Sequence, residues 1–89
     1  MDLIAFFETI AEDPRITTAH ICLYLALVYT HEQDSRSDLF KVHRMELMQL
    51  AKINARSTYD RIMHDLDAFG YIVYLPSYTG NSHVQLKKI

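Results

Sequence analysis

Cysteine, glycine and proline are scarce in this chain of 89 residues, which has one, two and two of them respectively. The single cysteine, Cys22, excludes an internal disulfide and a cysteine-rich zinc site and makes a reducing compartment the default expectation. With so little glycine and proline, 49% hydrophobic residues and 22% charged residues, the composition argues against disorder and indicates one globular domain weighted toward helix.

Long hydrophobic runs are also missing. The longest apolar stretch, residues 21–29, has nine residues, well short of the roughly 20 that span a bilayer. No basic segment followed by an apolar one begins the sequence, so a signal peptide is not indicated. We therefore expect a soluble, cytoplasmic protein without a membrane partner.

Catalytic and metal-binding patterns are absent from the sequence. The five histidines, at positions 20, 31, 43, 64 and 83, include no pair three or four residues apart, so a helical zinc site is not expected. Ser57 has no adjacent His and Asp that would form a relay, and no glycine-rich phosphate loop occurs. The sequence predicts neither an enzyme nor a cofactor.

What the sequence does contain is an uneven distribution of charge, although the net formal charge is only -2. Residues 1–40 hold two basic and seven acidic residues, a net charge of -5, whereas residues 41–89 hold seven basic and four acidic residues, a net charge of +3. Such an asymmetry is typical of a protein with one face toward phosphate and another toward solvent or a second subunit. A net charge of +3 over 49 residues also lies within the ordinary variation of charge among globular domains.

Hydrophobic spacing predicts two helices in the acidic half. The first is indicated by Leu3, Phe6, Phe7 and Ile10, and Pro14 ends it. Thr17 or Thr18 can cap the second helix, which covers residues 20–31. Its apolar side chains lie nearly all the way around the helix axis. Such a helix is either central to the core or covered by another chain. A polar loop follows over residues 32–38.

The basic half predicts an edge strand at residues 39–43 and a third helix at 44–53, then a fourth helix and a ribbon. The core side of the third helix is expected to hold Met45, Leu47, Met48 and Ala51. The fourth helix divides into a buried arc of Tyr59, Ile62, Met63 and Leu66 and an exposed arc of Ser57, Arg61, His64 and Ala68. Asn54, before this helix, can take a left-handed conformation, and Gly70 ends the helix.

From Tyr71 the apolar period changes to two, and Pro76 ends this strand. The loop over residues 77–82 contains Gly80-Asn81, which can supply the positive φ angles of a hairpin, and a second strand follows. Tyr71, Tyr74 and Tyr78 could stack on single-stranded bases, although filling the two faces of the hairpin is the simpler use of them.

Two helices, a short turn and a ribbon in this order resemble the winged helix-turn-helix DNA-binding domains of bacterial transcriptional regulators. The resemblance rests on Glu46-Leu47, Arg56-Ser57-Thr58-Tyr59, Leu66 and Gly70-Tyr71-Ile72. It implies a mainly α fold with a small β-hairpin, in the order α-α-β-α-α-β-β, within a single domain of residues 1–89. Residues 1–35 would hold the N-terminal helices, 44–70 the helix-turn-helix and 71–89 the wing.

The resemblance also implies a mode of DNA binding, with the helix from about Ser57 to Phe69 in a major groove. Arg61 would contact a base edge, with Ser57 and His64 as weaker candidates, and Arg56 and Thr58 would hold phosphate. On the wing, the candidates for DNA contact are Tyr78, Asn81, Lys87 and Lys88.

The leading functional hypothesis is therefore sequence-specific binding of double-stranded DNA, in transcriptional regulation or in the maintenance of a plasmid or mobile element. A homodimer is expected through the second helix together with Phe6 and Phe7. The alternative is a winged helix that binds another protein, without direct DNA contact, through its acidic N-terminal half.

Overall fold

A computed structural model describes residues 2–34 and 37–88. Four helices and three strands follow one another as α1 (Leu3–Ala11), α2 (Thr18–Gln33), β1 (Leu39–Lys41), α3 (Arg44–Ala51), α4 (Arg56–Ala68), β2 (Ile72–Leu75) and β3 (His83–Leu86). This is the order expected from the sequence. Helix α2 continues to Gln33, so the polar loop begins later than predicted. Two residues of that loop, Ser35 and Arg36, lie outside the described residues.

The three strands form one antiparallel sheet in the order β1-β3-β2. Val84 in the central strand pairs with Phe40 on one side and with Tyr74 on the other. Strand β1 therefore lies at an edge and pairs with the later ribbon, as its short alternating pattern predicted. Phe40, Val84 and Ile72 are buried and join the sheet to the core.

Helix α2 lies at the centre of the fold and packs against both α3 and α4. Its residues Leu23, Tyr24 and Leu27 are fully buried, and the ring of Tyr24 stacks on Phe6 of α1 with ring centroids 4.4 Å apart. The apolar side chains that lie all around this helix are thus explained mainly by contacts within the chain. Among the described residues, no helix combines the length and the apolar character needed to cross a membrane.

Helix α3 begins at Arg44 as predicted, but it differs from the prediction in the exposure of Met45 and at its C-terminal end. Met45 is 73% exposed, because it lies about 160° around the helix axis from Leu47, which is fully buried. The helix ends at Ala51 rather than at Ile53, and the left-handed residue that ends it is Lys52, with φ 61°, not Asn54. The N–H of Ile53 then bonds the carbonyl of Met48 at 2.9 Å, which lets the side chain of Ile53 return to the core.

The two glycines both take the positive φ angles expected of them, 90° at Gly70 and 83° at Gly80. Gly70 ends α4, and the N–H of the following Tyr71 bonds the carbonyl of Leu66 at 2.9 Å. Asn81, which was expected to share this conformation in the hairpin turn, does not have a positive φ. The turn needs the left-handed conformation at one residue, and glycine adopts it without steric cost.

Candidate nucleic-acid interface

Helix α4 presents the two faces that its sequence predicted. Its buried side consists of Tyr59, Ile62, Met63 and Leu66. The opposite arc, Ser57, Arg61, His64 and Ala68, is exposed. The helix is therefore held by its apolar side and leaves a polar surface outside.

A groove with a volume of about 910 Å³ lies between the start of α3, the first half of α4 and the β2–β3 hairpin. Arg44 and Arg56, the first residues of the two helices, both line it. The N-cap residues, His43 and Ala55, make no side-chain cap hydrogen bond, so backbone N–H groups in each first turn remain available. Two helix N-termini and two guanidinium groups therefore favour an anion in this groove.

Acidic side chains balance these charges, because Glu46 and Asp60 line the same groove. The Nε atom of Arg56 is 3.8 Å from an Asp60 oxygen, and the nearest guanidinium nitrogen of Arg61 is 3.7 Å from Asp65. Both distances exceed that of a hydrogen bond, and the two arginine side chains are 69% and 62% exposed. Such exposed pairs are weak and can be exchanged for a phosphate or a base edge.

Asp65 has a stronger partner in His20, which is buried at the start of α2. The backbone N–H of Thr17 donates to Nδ1 of His20 at 3.0 Å. Nδ1 is therefore an acceptor, and Nε2 carries the proton that is donated to Asp65 at 2.8 Å. This pair links the later part of α4 to the start of α2, and the sequence did not predict it.

A second polar cluster lies where α4 passes into β2. Arg15 donates two hydrogen bonds to Asp13, each 2.8 Å long, and the hydroxyl of Tyr71 donates to the same carboxylate at 2.8 Å. These contacts hold the pKa of Asp13 well below its usual range. Burial, and then the bond to Asp13, raises the pKa of Tyr71 to about 12. Arg15 also lies 4.3 Å from the centre of the Phe69 ring.

The hairpin turn carries Tyr78, whose side chain is fully exposed. Hydrogen bonds among short polar side chains order this turn, and one of them joins the Asn81 amide to the Thr79 hydroxyl at 3.3 Å. On the adjacent strand Tyr74 is half-buried, its pKa is raised by burial, and its ring centroid is 5.3 Å from that of His64.

The residues predicted to contact DNA fall into two groups. Arg56, His64 and Tyr78 line the groove, Ser57 and Arg61 are exposed on α4, Thr58 is half-buried there, and Asn81 lies in the hairpin turn. Lys87 and Lys88 lie elsewhere, because the N–H of Lys87 bonds the carbonyl of Tyr71, just beyond the C-terminal end of α4. Helix α4 has 13 residues and is about 20 Å long, and Arg56 lies at its opposite end.

Arg44 and His43 also line the groove, at the start of α3, and were not predicted from the sequence. The cluster of basic and histidine residues at 41–44, directly before a predicted helix, was the available signal. Within residues 2–34 and 37–88, no three His, Cys, Asp or Glu side chains are grouped so that they could hold a metal ion. Comparisons with protein-family models, curated proteins and solved structures give no match.

Proposed function

We propose that this chain is a winged-helix domain that binds double-stranded DNA, with α4 in the major groove and the β2–β3 hairpin as the wing. The element order and the three-stranded sheet support this assignment. The exposed arc of α4 supports it as well, because a recognition helix needs a polar surface beside a wing.

One observation carries the proposal: Arg44 and Arg56, each at the start of a helix without a side-chain cap, line the same groove beside the hairpin. Phosphate contacts of this kind fix a protein on the duplex, and base contacts then specify the sequence. Arg61, exposed on the same helix, is the candidate for bidentate contact with a guanine.

The test is the salt dependence of duplex binding, measured by fluorescence anisotropy with mixed-sequence DNA. Replacing both Arg44 and Arg56 by Ala should reduce the slope of log K against log salt by about 2, since each phosphate contact contributes about 0.9. The matched control, Arg44→Lys with Arg56→Lys, keeps the charges and should keep the slope. If the wild-type protein does not retain DNA at about 50 mM salt, DNA binding is excluded.

Sequence specificity requires a separate measurement, which is selection of bound sequences from a random duplex pool. Arg61→Ala should relax the preference at one guanine by about 1–3 kcal/mol and leave the other positions unchanged. A uniform loss across all positions would instead assign Arg61 to phosphate.

A second copy of the chain is the partner that we propose for α1. Leu3, Ile4 and Phe7 lie on one side of this helix and are exposed. Phe6, which was expected to share this contact, cannot do so because it is buried against Tyr24. Replacing Ile4 and Phe7 by Ser should abolish a dimer measured by sedimentation, and a wild-type monomer at high protein concentration would refute the proposal.

The protein-binding alternative is favoured by the same apolar patch and by the acidic N-terminal half. The salt experiment separates the two functions, because only DNA binding requires the steep dependence on ionic strength.

A further inference from the structure

Three tyrosines of the hairpin region differ in how much of their side chains is exposed. Tyr71 is buried with its hydroxyl on Asp13, and Tyr74 is half-buried beside His64. Tyr78 alone among the three is fully exposed, and it lines the groove. Tyr71 therefore fills the fold, Tyr74 lies half-buried in the wall of the groove, and Tyr78 offers an open ring face.

Hydrogen bonds fix the backbone of the hairpin turn around Tyr78 and leave its side chain uncovered. The Ser82 hydroxyl accepts the N–H of Ser77 at 3.0 Å, and the Ser77 hydroxyl accepts the N–H of Thr79 at 3.2 Å. His83 adds a bond of 2.7 Å to the carbonyl of Asn81. Because these bonds fix the backbone on both sides of Tyr78, a base that stacks on its ring needs little further ordering of the turn's backbone.

The size and charge of the groove set the kind of ligand. Its volume of about 910 Å³ lies within the range of small-ligand sites, about 300–1,000 Å³. Arg44 and Arg56 can neutralise one phosphate, and together with Glu46 and Asp60 in the same lining they form no basic track of the kind that follows a single strand. These features favour one nucleotide over a continuous single strand.

We propose that the groove holds one unpaired nucleotide at the end of a bound duplex, with its base stacked on Tyr78 and its phosphate between Arg44 and Arg56. This inference rests on the proposed duplex binding and adds to it a preference for DNA in which a base is already unpaired. Aromatic stacking tolerates any base, so the preference depends on the structure of the DNA rather than on its sequence.

The experiment compares three probes of the same sequence at one salt concentration: a blunt duplex, a duplex with one unpaired nucleotide, and the single strand alone. The overhang should raise affinity about tenfold over the blunt duplex, within the range measured for base stacking on aromatic side chains. Tyr78→Ala should abolish that gain and Tyr78→Phe should keep it. Tyr29→Ala, which removes an exposed tyrosine from α2, is the matched control and should change nothing. A 2-aminopurine at the unpaired position should be quenched by wild type and not by Tyr78→Ala.

Each other outcome contradicts a defined part of the proposal. Equal affinity for the blunt and overhanging duplexes overturns the nucleotide site and leaves duplex binding intact. A preference that survives Tyr78→Ala places the unpaired base elsewhere. A single strand that binds as tightly as the overhanging duplex excludes the duplex-end assignment. If none of the three probes is retained, the proposed DNA function itself fails.

Discussion

The two ends of α4 are held in different ways. Toward its C-terminal end, Asp65 bonds His20 at 2.8 Å, Phe69 packs under Arg15, and Tyr71 bonds Asp13 at 2.8 Å. At its N-terminal end no side chain caps the helix, and Arg56 is 3.8 Å from its carboxylate neighbour. One end is fixed by short, shielded hydrogen bonds, while the other exposes its charges.

This difference distinguishes structural cations from those available to a ligand. Arg15 and Arg56 are both exposed arginines near a carboxylate, yet only Arg15 makes two bonds of 2.8 Å. A helix anchored at its far end can present its other end to a ligand at a fixed angle, which the base contact that we propose requires. We therefore expect substitutions at the two ends to affect different measurements.

The largest effect should come from His20→Ala at the anchored end. The substitution leaves the Thr17 N–H and Asp65 without their partner and opens a cavity beside Phe69, so the free energy of unfolding should fall by about 2–4 kcal/mol in urea titrations. His64→Ala is the control on the exposed arc; it removes only the ring contact with Tyr74 and should change stability by about 1 kcal/mol or less. Equal losses in the two variants would remove the distinction between the ends.

A smaller effect is expected from Tyr71→Phe, which removes one hydrogen bond to Asp13 and leaves the two from Arg15. At pH 7 the free energy of unfolding should fall by about 1–2 kcal/mol, while Tyr29→Phe on the surface of α2 should have no effect.

The same variant predicts a dependence on pH. The folded-state pKa of Tyr71 is raised to about 12 from an ordinary value of 10.0, so its stabilising contribution is complete below pH 10 and is lost as the pH rises toward 12. The stability difference between wild type and Tyr71→Phe should therefore shrink over that interval. A constant difference would show that the Tyr71 hydroxyl ionises with its ordinary pKa.

The residues that the sequence predicted correctly are those determined by local spacing. The period of 3.6 was sufficient to separate Ile62 and Leu66 from Ser57 and Arg61 on α4. The contacts at the C-terminal end of α4 were not predicted because they join residues that are distant in sequence. His20 and Asp65 are 45 residues apart, and Asp13 and Tyr71 are 58 residues apart. Helical periodicity carries no information about such pairs.

Errors at single residues have a related cause. The positions of Lys87 and Lys88 depend on how β3 meets the end of α4, which the alternation of a strand does not specify. In the turn after α3, asparagine is the commoner left-handed residue, but packing of Ile53 into the core requires that conformation at Lys52.

The smallest effect, and the most specific test of the free end, is expected from Ala55→Ser. Ala55 already has the extended backbone of an N-cap, φ -103° and ψ 129°, so the serine hydroxyl can accept a first-turn N–H and stabilise the protein by about 0.5–1 kcal/mol. The same bond withdraws a donor from the groove, so duplex affinity should fall about twofold to fivefold at low salt. Ala68→Ser, at the exposed C-terminal end of α4, should leave affinity unchanged. Higher stability with unchanged affinity for Ala55→Ser would mean that the N-terminus of α4 does not contact phosphate.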